Sequence, residues 1–463
     1  MASLSNVFKA YDIRGVVPDE LNATQFRAIG MAVARFTGGP SLLIARDMRE
    51  SGVELSRAFA EGARSEGVTV IDLGLASTDL LYFAAGKLDA PGAMFTASHN
   101  PAKYNGLKLC LAGARPIGRD TGLADIQAIA ESLLEEWGAS GPPDVDPAKL
   151  APLQHQSALD AYADHVRSFV DTATLRPLRV VADTANGMGG LVAPKVFEGL
   201  PFEVEILFPE LDGNFPNHPA DPIQPENLVS LQALVLERGA DIGLAFDGDA
   251  DRVFLVDELA QPVSGSLTTA LVASSMLDKY PGSTVLYNCI CSRVVREVIE
   301  EQGGVGIRTK VGHSFIKQVM AETGAVFGGE HSGHYYFRDN YRADSGIIAA
   351  MVVLELLSVT GRPLSELLEP FKRYAASGEI NTVVPDPAGA VESLAAEVDA
   401  AGGALGTADR LDGLTVDRGD WWYNLRPSNT EPLLRLNVEA PDEASCADHV
   451  AEVQAAIARL LDT

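Results

Sequence analysis

Cysteine is scarce in this chain. Four thiols in 463 residues, Cys110, Cys289, Cys291 and Cys446, are too few to staple a fold, so a reducing compartment is expected. Basic residues are short as well: 36 Lys and Arg stand against 63 acids, a formal net charge of −27. That argues against a nucleic-acid or anionic-membrane binder, which needs a basic surface. A small anionic ligand stays compatible, because a deep site feels its local charges more than the total. Long apolar runs are missing too. The longest, Ile347 to Leu354, stops at Glu355, and the opening MASLSNVFKAYDIRG holds no apolar stretch of signal-peptide length. The expectation is a cytoplasmic chain with no membrane or nucleic-acid partner.

The length suits roughly three domains, give or take one. Asn22 with Gln25 reads as a capping box, Phe26, Ile29, Val33 and Phe36 follow at helical spacing, and Gly38-Gly39 ends the helix. Strands at 41–46, 68–74 and 93–97 alternate with helices, which predicts a mostly parallel α/β sheet. The acidic segment 124–150 reads as a helix, a loop and a boundary. A second unit starts with a strand near 178 and closes with DIGLAFDGDADRVFLVDE; a third repeats the alternation and ends in a helix expected to be N-capped by Asp344. After Gly378 the order becomes strand, helix, paired strands, helix, an α+β tail. The expected domains are 1–150, 151–255, 256–368 and 369–463.

Chemistry-bearing residues gather just after strands, where open α/β sheets bind ligands. Asp247, Asp249 and Asp251 in DGDADR repel one another unless a cation joins them, and hard oxygen ligands suit Mg²⁺. These acids with Glu258 mimic a calcium-binding EF-hand loop, but Arg252 stands where that loop needs glycine and both flanks read as strand. TASHNPAKYNGLK offers Ser98 beside His99, Lys103 and Lys108, either a nucleophile or a hydrogen-bonding turn. GGEHSGHYYF packs Glu330, His331, Ser332 and His334 between glycines; a carboxylate there can bridge vicinal sugar hydroxyls, or the glycines simply make a turn. In LRPSNTEPLLRL, Arg426 with Ser428, Asn429 and Thr430 suits either a phosphate dianion or an exposed hairpin turn.

Taken together and in this order, TASHNP, DGDADR, GGEHSGH and RPSNT resemble the four signature loops of the α-D-phosphohexomutase superfamily, in its bacterial phosphomannomutase/phosphoglucomutase branch. The likeness spans nearly the whole chain from FKAYDIRG onward. It implies three similar mixed-sheet α/β domains plus a C-terminal α+β (TATA-box-binding-protein-like) domain around a central cleft, each giving one loop. Carried over by residue, Ser98 resembles the phosphorylated serine. Asp247, Asp249 and Asp251, with a phosphate oxygen on Ser98, resemble the Mg²⁺ ligands. Glu330 and Ser332 resemble the sugar-hydroxyl readers, and Arg426, Ser428, Asn429 and Thr430 the phosphate loop. Tyr11, Arg14, Lys108, Arg252, His313 and His334 match cleft-lining positions.

The resemblance implies interconversion of hexose 1- and 6-phosphates, of mannose and also of glucose, through a phosphoserine enzyme and a hexose 1,6-bisphosphate. The expected partner is a phosphorylated hexose, and the expected assembly a monomer or weak homo-oligomer. Lys108, Arg14 and Arg252 are then candidates for stabilising the transferring group, and His334 or Lys108, with His313 next, for the general acid/base. Phosphoglucosamine mutation and non-catalytic sugar-phosphate binding are the competing expectations. One departure stands out: Ile290 occupies the position aligned with a family cleft lysine, which would pass that charge to Lys310 or Arg293.

Overall fold

The computed structural model describes residues 4–428 and 433–461. Asn429 and Thr430 lie outside the described residues, as does the side chain of His313.

The first sheet is built on Ser41–Arg46, whose apolar run SLLIAR is buried on both faces. Leu42 and Ile44 enter one core while Leu43 and Ala45 enter another, as the period of two requires. Thr69–Leu75 and Gly92–Phe95 flank it in parallel, and Leu153–His155 extends the sheet beyond Thr69–Leu75. Tyr104–Leu111 and Ile13–Val16 pair antiparallel, so the sheet is mixed rather than mostly parallel. The helix Ala23–Thr37 carries the reciprocal Asn22–Gln25 box and ends on left-handed Gly38.

The second and third domains share a plan. Glu203–Leu207, Arg179–Asp183 and Ile242–Phe246 run parallel, and Val253–Asp257 turns back antiparallel. Val305–Thr309, Thr284–Asn288 and Phe327–Gly329 run parallel, and Tyr335–Phe337 turns back. In each of the three domains the signature loop is the turn from a parallel strand to its antiparallel neighbour. The fourth sheet is wholly antiparallel, in the order Ala375–Val383, Leu433–Ala440, Trp422–Pro427, Leu414–Asp417, Thr407–Asp409, backed by helices Pro387–Ala400 and Glu443–Leu461.

Two expectations shift. Leu153–His155 belongs to the first sheet and Pro262–Val263 to the second, so both sheets run past the boundaries expected at 150 and 255. The helix Gly346–Thr360 is capped by Ser345, whose hydroxyl accepts from the Ile348 N–H, because Asp344 turns inward to Lys317 instead. That helix holds the longest apolar run, which is buried. Among the described residues no single helix is long and apolar enough to cross a membrane. One hydrophobic core is shared by the first three domains, and the fourth has its own.

Candidate active site

Ser98 follows the strand Gly92–Phe95 in the left-handed region, φ +50°, a conformation that costs a non-glycine residue roughly 1–3 kcal/mol and occurs at functional sites. The Ser98 hydroxyl donates to Asp247 Oδ2 at 2.7 Å and lies 3.5 Å from Arg252 Nη2. Arg252 also donates to Asp247, from Nε at 3.0 Å, and to His99 Nδ1 at 2.6 Å. An arginine only donates, so His99 Nδ1 is the acceptor and its proton sits on Nε2. Burial first, then Arg252 and Arg14, hold that imidazole well below its ordinary pKa, hence neutral. The metal-type loop meets the serine loop backbone to backbone: a Cβ on Gly248 would stand 2.4 Å from the Ser98 carbonyl oxygen, so only glycine fits.

Asp247, Asp249 and Asp251 are buried, and their ligand atoms lie within 4.8 Å of one another. Lys108 Nζ bonds Asp249 Oδ2 at 2.7 Å and Asp251 Oδ2 at 2.6 Å. Burial would lower that ammonium, but the two aspartates outweigh it and hold its pKa well above the ordinary value. Burial, resisted by Arg252 and reinforced by Asp249 and Asp251, pushes Asp247 up to about 8. Asp249 Oδ1 and Asp251 Oδ1 are buried without a hydrogen-bond partner. Two orphaned hard oxygens beside a carboxyl that its protein neighbours alone do not keep ionised fit a divalent cation with oxygen ligands.

The third domain adds Glu330, whose buried carboxylate accepts from the Gly312 N–H at 3.0 Å, Asn288 Nδ2 at 3.2 Å and the Tyr336 hydroxyl at 2.7 Å. His334 Nδ1 is 3.0 Å from the Ser332 hydroxyl, and its Nε2 is 3.7 Å from Asp251 Oδ1 and 3.9 Å from Asp344 Oδ2. The third loop therefore touches the metal-type loop on one side and, through Gly312, a cleft of about 800 Å³ on the other. Tyr11, Lys310, Arg426, Ser428 and Arg435 line that cleft. Burial pushes the Tyr11 hydroxyl up to about 12, so it is a neutral hydrogen-bonding group. Arg14 bonds Asn100 Oδ1 at 2.6 Å and Asp12 at the edge of the serine loop. Ile290 is buried; Lys310 faces the cleft, whereas Arg293 is engaged with Asp417 and the Gly419 carbonyl of the fourth domain.

Several residues escaped sequence reasoning. Arg49 donates to the carbonyls of the serine loop, and the Thr78 hydroxyl donates to Asp249. Asp79 is buried and accepts from the hydroxyls of Ser77, Tyr162 and Ser345, joining three domains. Lys317 is buried 3.8 Å from the Tyr82 ring centroid and 2.7 Å from Asp344 Oδ1. Arg435 shares the carboxylate of Glu379 with Arg426. Each is a lone polar letter in an ordinary element and carries no local signal.

Three α/β domains that turn their loops toward a serine, three carboxylates and a set of cations, with an α+β domain whose Arg426 and Ser428 line the adjoining cleft, mark a phosphosugar mutase, an isomerase. Profiles of the phosphoglucomutase/phosphomannomutase alpha/beta/alpha domains I, II and III match residues 5–136, 160–260 and 264–374, and that of the C-terminal domain matches 379–459. The Phosphohexose mutases of Xanthomonas campestris pv. campestris are 42% identical over 440 residues, 95% of this chain and 96% of the relative. The Phosphomannomutase of Escherichia coli (strain K12) is 39% identical over 440 residues, 94% of each. The crystal structure of a phosphoglucomutase/phosphomannomutase family protein from Burkholderia thailandensis superposes with a TM-score of 0.86 at 32% identity, covering 98% of this chain and 97% of that one. The chain belongs to the phosphoglucomutase/phosphomannomutase family of hexose phosphate mutases.

Proposed function

We propose that this mutase interconverts hexose 1-phosphate and hexose 6-phosphate through a phosphoryl group carried on Ser98 and a hexose 1,6-bisphosphate, and that it accepts both mannose and glucose. The observation that carries the reading is the buried Ser98 hydroxyl, set against Asp247 and Arg252 in a strained turn. Asp247, Asp249 and Asp251 would hold Mg²⁺, with a phosphate oxygen on Ser98 completing the set; when bound, the ion offsets the charge around the transferring group.

In the forward step the sugar hydroxyl oxygen bonds to phosphorus, the bond from phosphorus to Ser98 Oγ breaks, and the hydroxyl proton leaves. His334 is the general base: its side chain is 19% exposed, and the Ser332 hydroxyl 3.0 Å away restrains its Nδ1. Lys108, clamped between two aspartates and held protonated, supplies positive charge and a hydrogen bond, with Arg252 beside it and Arg14 at the loop edge. The bisphosphate turns over in the cleft and returns its other phosphoryl group to Ser98, and the proton moves back from His334. Arg426, Ser428, Asn429 and Thr430 are assigned to the distal phosphate, and Glu330 with Ser332 to the sugar hydroxyls; Tyr11 lines the cleft, and His313 is assigned to substrate binding beside it.

A Glu330 that takes the 3- and 4-hydroxyls would leave the carbon-2 configuration unread, which supports activity on both epimers. The partner is a phosphorylated hexose, with no nucleic acid or membrane, and the enzyme works in the cytoplasm as a monomer or weak homo-oligomer, primed by hexose 1,6-bisphosphate. Intact-mass measurement of the enzyme treated with glucose 1,6-bisphosphate tests the core of this reading. One phosphate on the Ser98 peptide is expected, and a fully active Ser98→Ala enzyme overturns it.

A further inference from the structure

The serine loop is not held by its own turn alone. Arg49, which follows the strand Ser41–Arg46, is 1% exposed, and all five of its N–H groups are engaged. Nε donates to Asp47 Oδ2 at 3.2 Å. One amino group donates to the carbonyls of Pro101 and Tyr104 at 2.9 and 3.0 Å. The other donates to those of Ser98 and Asn100 at 2.8 and 2.6 Å. A single guanidinium thus collects four carbonyls from the segment that carries the reacting hydroxyl, one of them belonging to Ser98 itself.

The guanidinium is covered from the second domain. The Phe215 ring lies 5.2 Å from Cζ of Arg49, and Gly213 packs so close that a Cβ there would stand 2.7 Å from the Arg49 Cα. The Ser98 carbonyl therefore has Arg49 at hydrogen-bond distance and Gly248 in van der Waals contact. This clamp keeps Ser98 at φ +50°, with Oγ directed to Asp247 and Arg252. A lysine carries three donors on one atom and cannot span four carbonyls and a carboxylate.

We propose that Arg49 is a positioning residue for phosphoryl transfer: it sets the Ser98 loop so that the serine oxygen, the phosphoryl group and the incoming hydroxyl align. The proposal rests on Ser98 as the phosphoryl carrier. Phosphoryl transfer depends chiefly on alignment and charge, and displacement by about 1 Å costs on the order of 10²-fold in rate. Apart from Tyr11, which Arg49 does not touch, substrate grip is assigned to the third and fourth domains, so turnover is lost while binding persists.

The test uses full-length, Mg²⁺-loaded Arg49→Lys and Arg49→Met enzymes. The expected result is kcat lowered about 10²-fold with KM and the directly measured Kd for glucose 1-phosphate within about threefold of the parent, and with unchanged circular dichroism. A kcat within threefold of the parent in either folded variant overturns the proposal; so does a Kd that weakens as much as kcat falls. Should both variants fail to fold, Phe215→Leu removes only the covering ring, and an unchanged kcat there overturns the proposal equally. Mass measurement of the parent separates the two failures. A phosphorylated, active parent with unimpaired Arg49 variants sinks the positioning role alone, whereas an active Ser98→Ala enzyme sinks both.

Discussion

Replacing Arg426 by methionine removes the one cation of the RPSNT loop while keeping a side chain of similar length. Arg426 gives one Nη2 hydrogen to Glu379 at 2.7 Å, so Nε, Nη1 and the second Nη2 hydrogen are the donors left for a ligand, and Nε is buried without a partner. Two hydrogen bonds to a phosphate dianion at about 1.5 kcal/mol each come to about 3 kcal/mol, or about 150-fold in affinity. Steady-state rates in the two directions cannot show whether the loop serves both orientations of the sugar, because the reaction equilibrium fixes the ratio of the two kcat/KM values. Binding can. In a Ser98→Ala background, calorimetric Kd values for glucose 1-phosphate and glucose 6-phosphate are expected to rise together, each by about 150-fold. A more than tenfold difference between the two, or a rise of less than threefold in both, refutes a single distal-phosphate grip at Arg426.

Other outcomes follow from the buried charges. Asp249→Asn keeps the Thr78 and Lys108 contacts near isosteric but removes a hard oxygen anion, so the Mg²⁺ concentration for half-maximal activity should rise more than about tenfold; an unchanged magnesium titration counts against the metal site. Burial pushes Asp79 up to about 7, from an ordinary value near 3.8. A carboxyl whose pKa is raised on folding gives stability that is fully present below about pH 4 and lost as pH climbs through 7. From pH 5 to pH 8 the parent should lose about 3 kcal/mol relative to Asp79→Asn, from two pH units at about 1.4 kcal/mol each, read from urea midpoints. A pH-independent difference contradicts the assignment.

The four loops were legible because each keeps its chemistry in a few adjacent letters after a strand. The residues that hold those loops were not, because their meaning lies in distant partners. Arg49 reads as one more charge in ARDMRE until the chain returns 49 residues later to lay four carbonyls on it. Thr78 and Asp79 look like the first turn of a helix, yet they reach Asp249 and Ser345, 171 and 266 residues away. The choice of Asp344 as a helix cap failed for the same reason. Either Asp344 or Ser345 can cap locally, and the buried ammonium of Lys317, brought by another helix, decided between them. Among the fold features, the alternation of strands was plain, but the antiparallel return strand of each sheet, which creates the loop positions, is set by tertiary pairing.

The separate core of the fourth domain makes it a unit that can be exchanged as a whole. Three domains share one hydrophobic cluster, so a substitution that shifts one of their loops is felt through that cluster by the other two. The fourth folds around its own interior and meets the third through polar contacts such as Arg293 with Asp417 and the Val311 N–H with Asp412. On the proposed assignment of the distal phosphate to this unit, grafting it from a relative would exchange that grip and leave the loops of the other three domains in place. Under the proposed mechanism, how long a bisphosphate is retained between half-reactions could therefore be changed without retuning how it is made.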